Sequence, residues 1–247
     1  MHIDDTWQQP PNELTLVVGD VHVWRVVFER FTARQDSFLS VLNEDERERA
    51  DRFHFESGRS QYVVTRAALR MTLSRYTGIE AQSLEFEYST HGKPSLKGDG
   101  PPQFNVAHSG GLALIAVTKE GLIGVDVEAR RRDFAGQRIA NRFFSAREAG
   151  ALRNLPTDQQ EQGFLNCWTR KEAYIKARGE GLSCPLDSFD VTLAPGEPAR
   201  LLNVKGDPNE AANWNLCALP MDDGIAAAVA LRGPLENVCC WDWTDST

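Results

Sequence analysis

Two stretches of helical periodicity, each followed by strand-like segments, limit the folds open to this chain of 247 residues. In residues 61–76, apolar side chains recur three or four positions apart, and Gly78 follows as a stop signal. A second helical stretch covers residues 160–178. Because short apolar or alternating segments follow each stretch, the order predicts an α+β fold with a boundary between two halves near residues 119–123. We place these halves at residues 1–120 and 121–247.

The remaining elements are predicted from local pattern and turn residues. A charged, helix-favouring stretch runs from Asn43 to Phe53, and residues 89–103 are rich in glycine and proline and read as a loop. A helix near residues 137–154 is expected to be two pieces, since Ser145 and Glu148 fit a capping box. We also expect a helix from about residue 34 to 42, and strands at 14–18, 21–26, 84–88, 104–108, 112–117, 123–128, 189–193, 214–219 and 225–231.

Composition excludes several classes of protein. The formal net charge of −8 is unfavourable for a protein that coats nucleic acid. The chain has no apolar run long enough to span a bilayer, and its first residues do not resemble a signal peptide. The five cysteines are an odd number and form no C-x-x-C, so we expect reduced thiols and no zinc site. These features predict a cytoplasmic protein without nucleic-acid or membrane partners.

Asp126 and Glu128 are two carboxylates on one predicted strand. Residues two apart on a strand point to the same face, about 7 Å from each other. Two such carboxylates repel each other unless a cation lies between them, and a hard ion such as Mg²⁺ suits oxygen ligands. The competing interpretation is a solvated pair on an exposed strand face.

Trp168, Glu172 and Lys176 are one helical turn apart and share a face. Glu followed by Lys at this spacing is also a common surface pair. Two of the six lysines, however, fall in this one helix. Glu172 could therefore complete a three-carboxylate metal site with Asp126 and Glu128, and Lys176 could contact a phosphate there.

Basic side chains and one histidine suggest anion binding. His108 follows a short predicted strand and precedes Ser109 and a glycine turn, a setting that suits phosphate or a structural histidine. Arginines are frequent between residues 47 and 75, where they either bind a phosphate or form salt bridges with neighbouring acidic residues: Arg47, Arg49, Arg52, Arg59, Arg66, Arg70 and Arg75.

Five segments, taken in order, resemble the motifs of the Sfp-type 4′-phosphopantetheinyl transferases. The resemblance covers roughly residues 45–190, and its specificity comes from the order and spacing of the segments rather than from any one of them. The segments are Gly92–Pro94, Phe104–Gly110, Gly124–Glu128, Arg142–Ser145 with Glu148, and Trp168–Lys176, continued by Gly179–Leu182.

This resemblance implies a pseudo-dimer of two α+β halves, each with a small antiparallel sheet, and a coenzyme A cleft between them. It implies Mg²⁺-dependent transfer of 4′-phosphopantetheine from coenzyme A to a serine of an apo carrier protein, with release of adenosine 3′,5′-bisphosphate. Mn²⁺ is an alternative metal. Fatty-acid, polyketide and peptide-synthetase carriers all remain open as partners, and a monomer is expected.

The resemblance also implies roles for individual residues. Asp126, Glu128 and Glu172 hold the metal, and Lys176 contacts the pyrophosphate and assists the leaving group. Lys93, His108 and Ser109 are ligands of the nucleotide phosphates. Trp168 packs the site, and Lys171 acts on the acceptor side or steadies the carboxylates. Two basic positions of the family fall on Gln61 and Glu46, and we expect Arg59, and Arg49 or Arg47, to replace them.

Two mechanistic points stay open from the sequence. The base that takes the serine proton is either Glu172 or a metal-bound water near Glu128. The predicted capping box explains Glu148 without catalysis, so we expect Glu148→Gln to be nearly silent if the residue only caps a helix; a collapse in rate without loss of stability would make it catalytic.

Two other functions fit the same residues less well. A metal-dependent phosphodiesterase or nuclease also places such carboxylates near a lysine, and hydrolysis of DNA or RNA would identify it. A nucleotide-binding module without catalysis would bind coenzyme A with no Mg²⁺ dependence and no turnover.

Overall fold

The computed structural model describes residues 1–98, 100–130 and 136–245 of the chain. Short 3-10 helices connect the main elements. The strands are β1 (His2–Ile3), β2 (Asp20–Val27), β3 (Phe86–Tyr88), β4 (Pro94–Leu96), β5 (Gln103–Ser109), β6 (Leu112–Thr118), β7 (Leu122–Ala129), β8 (Phe189–Val191), β9 (Leu201–Val204), β10 (Trp214–Ala218), β11 (Ile225–Arg232) and β12 (Asn237–Asp242). The α-helices are α1 (Gln35–Phe38), α2 (Glu44–Asp51), α3 (Glu56–Thr77), α4 (Gly136–Phe143), α5 (Ala146–Asn154) and α6 (Gln160–Arg178).

Two sheets carry most of the fold. The larger has the strand order β1-β12-β2-β6-β5, and the smaller has the order β10-β11-β7. Two further pairs, β3-β4 and β8-β9, are two-stranded. The α+β class is confirmed, but the larger sheet is not purely antiparallel, because β12 pairs in parallel with both β1 and β2. This last strand crosses the predicted boundary near residue 120 and joins the sheet of the first half.

Alternation along the strands produces four layers. In β2, Val21 and Val23 belong to a core shared by the two sheets, whereas Trp24 and Val26 pack in the core that includes α3. The smaller sheet does the same, since Val229 of β11 faces the shared core and Ala228 faces the core that includes α6. The order is therefore helix, sheet, sheet, helix, with α3 and α6 outside.

The edge strands β5 and β7 bring the two sheets together. They belong to different sheets, and the Asn105 side chain of β5 accepts a hydrogen bond from the backbone N–H of Val125 at 2.9 Å. Asn105 is buried, so its amide would be costly without this partner. This contact fixes β7, the strand with the two carboxylates, against the larger sheet.

The two helix predictions of the second half are confirmed. The helix over residues 160–178 has those bounds, and the helix near 137–154 is two pieces, with Ser145 and Glu148 forming the capping box. The five cysteines are free. None of the helices in the described part of the chain has both the length and the apolar character needed to cross a bilayer.

Other local predictions were wrong. Residues 14–18 form no strand, because Leu14 and Leu16 pack against the core without pairing to a neighbour. The predicted loop over residues 89–103 contains β4. The strands β1, β9 and β12 were not predicted. β1 is very short and pairs with β12, which also pairs with β2, and these partners are remote in sequence. β9 is too short to show an alternating pattern.

Candidate active site

The two carboxylates of β7 and the polar face of α6 line one pocket, as the sequence predicts. The pocket has a volume of about 370 Å³ and opens between β5, β7 and α6. Its lining consists of Val106, Ala107, His108, Asp126, Val127, Glu128, Trp168, Glu172 and Lys176. All four residues predicted to be catalytic are in this group, as is His108.

A glycine allows β7 and α6 to lie unusually close together. A side chain at Gly124 would clash with the backbone of Ala173 and Ala177. Since Gly124 has an ordinary negative φ, this position needs glycine for space and not for a left-handed backbone. The close approach brings Asp126, two residues further on, within reach of α6.

Asp126 is the most deeply buried acid of the pocket. It is 4% exposed, and its Oδ1 accepts a hydrogen bond from Nζ of Lys176 at 2.6 Å. Its Oδ2 is buried and has no hydrogen-bond partner within the part of the chain that the structure describes. Burial raises the pKa of Asp126 to about 7; Lys176 opposes this shift, and Glu172 and Glu128 add to it.

The other two carboxylates are less buried. Burial, together with the charge of Glu128, raises the pKa of Glu172, and Lys176 opposes the rise. Glu128 accepts a hydrogen bond from the Ser109 hydroxyl at 3.1 Å. The same hydroxyl accepts from the N–H of Ala129 at 3.3 Å. Ser109 therefore steadies Glu128 rather than facing the pocket as a phosphate ligand.

The carboxylate oxygens of the pocket are of the type that binds a hard divalent cation, but they are not close enough together to coordinate one. Three carboxylates share the pocket, and Oδ2 of Asp126 has no positive or N–H partner among the described residues. Oxygen ligands of this kind are those that Mg²⁺ prefers. In residues 1–98, 100–130 and 136–245, however, no three metal-ligating side chains are close enough together to hold an ion. Lys176 currently neutralises Asp126.

The prediction for Lys171 is corrected by its position. Its side chain is fully buried, and Nζ donates to the carbonyls of Leu186 and Phe189, each at 2.6 Å. The same ammonium lies 2.8 Å from a carboxylate oxygen of Glu148. Adjacent residues point about 100° apart on a helix, so the turn that directs Glu172 into the pocket directs Lys171 into the core. Lys171 is therefore in the core and does not line the pocket.

Glu148 does more than cap α5. Its Oε2 accepts from the N–H of Ser145, which completes the capping box, and its Oε1 accepts from the N–H of Val191 at 2.8 Å. It also balances the charge of Lys171. Since Glu148 has partners besides the cap, we expect Glu148→Gln to cost stability, because the change would leave a buried ammonium without its counter-ion.

Lys93 does not line the pocket. Its Nζ donates to the backbone carbonyls of Ile123 and Ala177, both at 2.9 Å, so it lies behind the site rather than inside it. The phosphate role assigned to it conflicts with these contacts.

The two arginines predicted to bind the nucleotide also lie outside the pocket lining. Arg49 is exposed and stacks over the ring of Tyr62, with its guanidinium carbon 5.4 Å from the ring centroid. Arg59 pairs with Asp51 at 3.3 Å. Their ligand-binding role stays a prediction.

Two positions were missed as parts of the site. Asn105 lies within the segment Phe104–Gly110, and a polar residue inside an apolar strand is a signal of a required partner. The packing role of Gly124 could not be seen from the sequence, because it depends on where α6 lies.

Two family profiles match adjacent parts of the chain, and both describe 4'-phosphopantetheinyl transferases. The family profile described as "4'-phosphopantetheinyl transferase superfamily" matches residues 122–230. The profile described as "4'-phosphopantetheinyl transferase, N-terminal" matches residues 24–120. The pocket residues Asp126, Glu128, Glu172 and Lys176 all lie within the first match.

Individual relatives cover most of the chain. The 4'-phosphopantetheinyl transferase HetI of Nostoc sp. is 37% identical over 235 residues, which are 94% of this chain and 95% of HetI. A putative 4'-phosphopantetheinyl transferase of Synechocystis sp. is 32% identical and covers 74% of each chain. The 4'-phosphopantetheinyl transferase Sfp of Bacillus subtilis is 30% identical, over 69% of this chain and 76% of Sfp.

Proposed function

Because the chain belongs to the 4′-phosphopantetheinyl transferase superfamily, we propose that it transfers 4′-phosphopantetheine from coenzyme A to a serine of an apo carrier protein, with Mg²⁺ as cofactor. The second product is adenosine 3′,5′-bisphosphate. The acceptor is an acyl carrier protein or a carrier domain of a polyketide or peptide synthetase.

One observation carries this proposal beyond family membership. Asp126 is buried with one oxygen on Lys176 and the other without a partner, in a pocket that holds two more carboxylates and His108. Such a pocket has excess negative charge and one ammonium at its wall. It is suited to a cation together with phosphate groups, which is the charge pattern of a metal-bound pyrophosphate.

The metal would be held by Asp126, Glu128 and Glu172, with Mn²⁺ as an alternative to Mg²⁺. When bound, it would neutralise charge on the pyrophosphate of coenzyme A.

Lys176 supports departure of the leaving group. Its ammonium has three N–H donors, and the hydrogen bond to Asp126 uses one of them. The others can donate to a phosphate oxygen as negative charge develops on adenosine 3′,5′-bisphosphate. His108 is exposed at the pocket and is placed to donate to a phosphate as well.

Glu172 is the base that the pocket favours. The serine oxygen attacks the β-phosphorus, the bond from that phosphorus to the bisphosphate oxygen breaks, and the serine proton must be taken up. Since burial raises the pKa of Glu172, this carboxylate accepts a proton more readily than an exposed one. A water molecule beside Glu128 is the alternative base.

The test is intact-mass measurement of an apo carrier protein incubated with the enzyme, coenzyme A and Mg²⁺, with and without EDTA. We expect the mass of the carrier to rise by one phosphopantetheine in the absence of EDTA and to stay unchanged when EDTA chelates the Mg²⁺. A carrier variant without its serine controls for the site of attachment. An unchanged mass across acyl, polyketide and peptidyl carriers would contradict the proposal.

A matched pair of enzyme variants locates the chemistry. Asp126→Asn removes the buried carboxylate, and Asp223→Asn removes an exposed carboxylate outside the pocket. We expect transfer to be lost only in the first variant. Equal transfer rates for the two variants would show that Asp126 is not part of the active site.

A further inference from the structure

Lys93 joins two elements that are far from it in sequence. It follows β3 and precedes β4, and its Nζ donates to the carbonyl of Ile123 in β7 and to the carbonyl of Ala177 in α6, both at 2.9 Å. These partners are 30 and 84 residues away. The side chain is largely covered by protein.

The two carbonyls belong to the elements that carry the pocket acids. Ala177 directly follows Lys176, and Ile123 lies three residues before Asp126. One ammonium therefore holds the end of α6 to the beginning of β7. These are also the elements whose close approach Gly124 permits.

The contact suits a cation for a general reason. The last carbonyls of a helix have no partner within the helix and carry partial negative charge. Ala177 lies in the last turn of α6, so the ammonium of Lys93 satisfies one of these carbonyls. Within the described residues, no carboxylate lies within ion-pair distance of Lys93. Burial accordingly lowers the pKa of Lys93 to about 8.

The glycine after α6 leaves space for the Lys93 side chain. Gly179 follows the end of α6 with a positive φ, and a side chain added there would meet Cδ of Lys93 at 3.3 Å. The glycine thus serves the turn and also the passage of the lysine stem.

We propose that Lys93 is a positioning residue that locks the end of α6 onto β7 and so sets Glu172 and Lys176 against Asp126, rather than a group that binds the coenzyme. This inference rests on the proposed function for its kinetic test. It replaces the phosphate contact that the family resemblance assigns to Lys93.

The variant Lys93→Met removes the donors and keeps most of the stem, and Lys93→Arg keeps a cation. Lys97→Met is the matched control, because Lys97 lies four residues later, is exposed and pairs with Glu85. For Lys93→Met we expect kcat to fall about 10- to 100-fold, as is typical of small displacements of reacting groups. We expect Lys93→Arg to recover part of the rate, and Lys97→Met to match the parent.

Coenzyme A affinity, measured by calorimetry without an acceptor, separates positioning from binding. If Lys93 positions α6, the Kd for coenzyme A stays within about threefold of the parent while kcat falls. A tenfold weaker Kd with kcat unchanged at saturating coenzyme A would overturn the proposal, since that is the signature of a ligand contact.

Hydrogen exchange tests the same contact without turnover. In Lys93→Met, we expect faster exchange confined to the last turn of α6 and the first residues of β7, with protection of α3 unchanged. Unchanged exchange at α6 would overturn the proposal. If the parent enzyme transfers nothing to any carrier, the proposed function fails, and this measurement still decides whether Lys93 holds α6.

Discussion

Glu46 in the region of α2 and α3 and Asp126 in the pocket are both buried carboxylates beside cations, yet their pKa values move in opposite directions. Glu46 receives hydrogen bonds from Arg66 at 2.8 Å and from Arg70 at 2.6 Å. These arginines lower the pKa of Glu46 although burial alone would raise it. Asp126 has one lysine and two carboxylate neighbours, and its pKa rises to about 7.

The difference lies in how completely each group is paired. Both oxygens of Glu46 accept hydrogen bonds, one from Arg66 and one from Arg70, and the acid ties α2 to α3. Asp126 has one oxygen without a partner among the described residues. Removing a buried charge that the fold pairs fully is costly because its partners are left unpaired, whereas a charge left partly unsatisfied is available for a ligand of opposite charge.

The largest expected effect is on catalysis by Asp126→Asn. We expect the transfer rate to fall on the order of 10³-fold, which corresponds to about 4 kcal/mol of barrier. Stability in EDTA at pH 8 should not fall. The ordinary pKa of an aspartate is 3.8, whereas that of Asp126 in the folded protein is about 7. Between about pH 4 and pH 7 the folded protein therefore holds a proton that the unfolded chain has lost. The ionisation of Asp126 consequently lowers the stability of the fold as pH rises through this range.

Initial rates by intact mass and thermal unfolding at pH 8 measure the two quantities. If Asp126→Asn were both inactive and clearly less stable than the parent, Asp126 would stabilise the fold as Glu46 does, and the two carboxylates would not differ in role.

Glu46→Gln should show the opposite pattern. The change leaves Arg66 and the fully buried Arg70 without their counter-ion, so we expect the free energy of unfolding to fall by about 3 kcal/mol. The rate per folded molecule should stay within about twofold of the parent. Urea unfolding measures the first quantity. Glu44→Gln, an exposed position on the same helix, is the control.

Glu148→Gln extends the contrast to the C-terminal region. We expect a loss of about 2 kcal/mol, because the buried Lys171 loses its counter-ion while the neutral side chain keeps some hydrogen bonds. Combining it with Lys171→Met should cost less than the sum of the two single variants, since the double variant leaves no unpaired charge. Additive losses in urea unfolding would argue against the pairing.

The smallest expected effect is a pH dependence. Glu46 has a folded pKa below its ordinary value of 4.5, so its stabilising contribution is present above that pH and is lost as pH falls through the folded pKa. The difference in unfolding free energy between the parent and Glu46→Gln should therefore be largest near neutral pH and shrink in acid. A difference that stays constant from neutral pH to about pH 3 would show that the charge of Glu46 is not what stabilises it.

Much of the candidate site was predictable because its spacing is local. Asp126 and Glu128 share a strand face, and Trp168, Glu172 and Lys176 share a helix face, and all five line one pocket. The capping box at Ser145 is equally local. Lys171 was misassigned because a motif records which residue follows which, and not which of them turns into the core.

The amino-acid sequence by itself determined the helices, most strands and the faces on which the acids lie, because these depend on periods of two and 3.6 residues. Only the tertiary structure decided that β12 joins the larger sheet, that Lys93 holds α6 to β7, and that Asp126 is left with an unpaired oxygen. These outcomes depend on partners remote in sequence and on burial, which set the energy of a charged group and have no local signature.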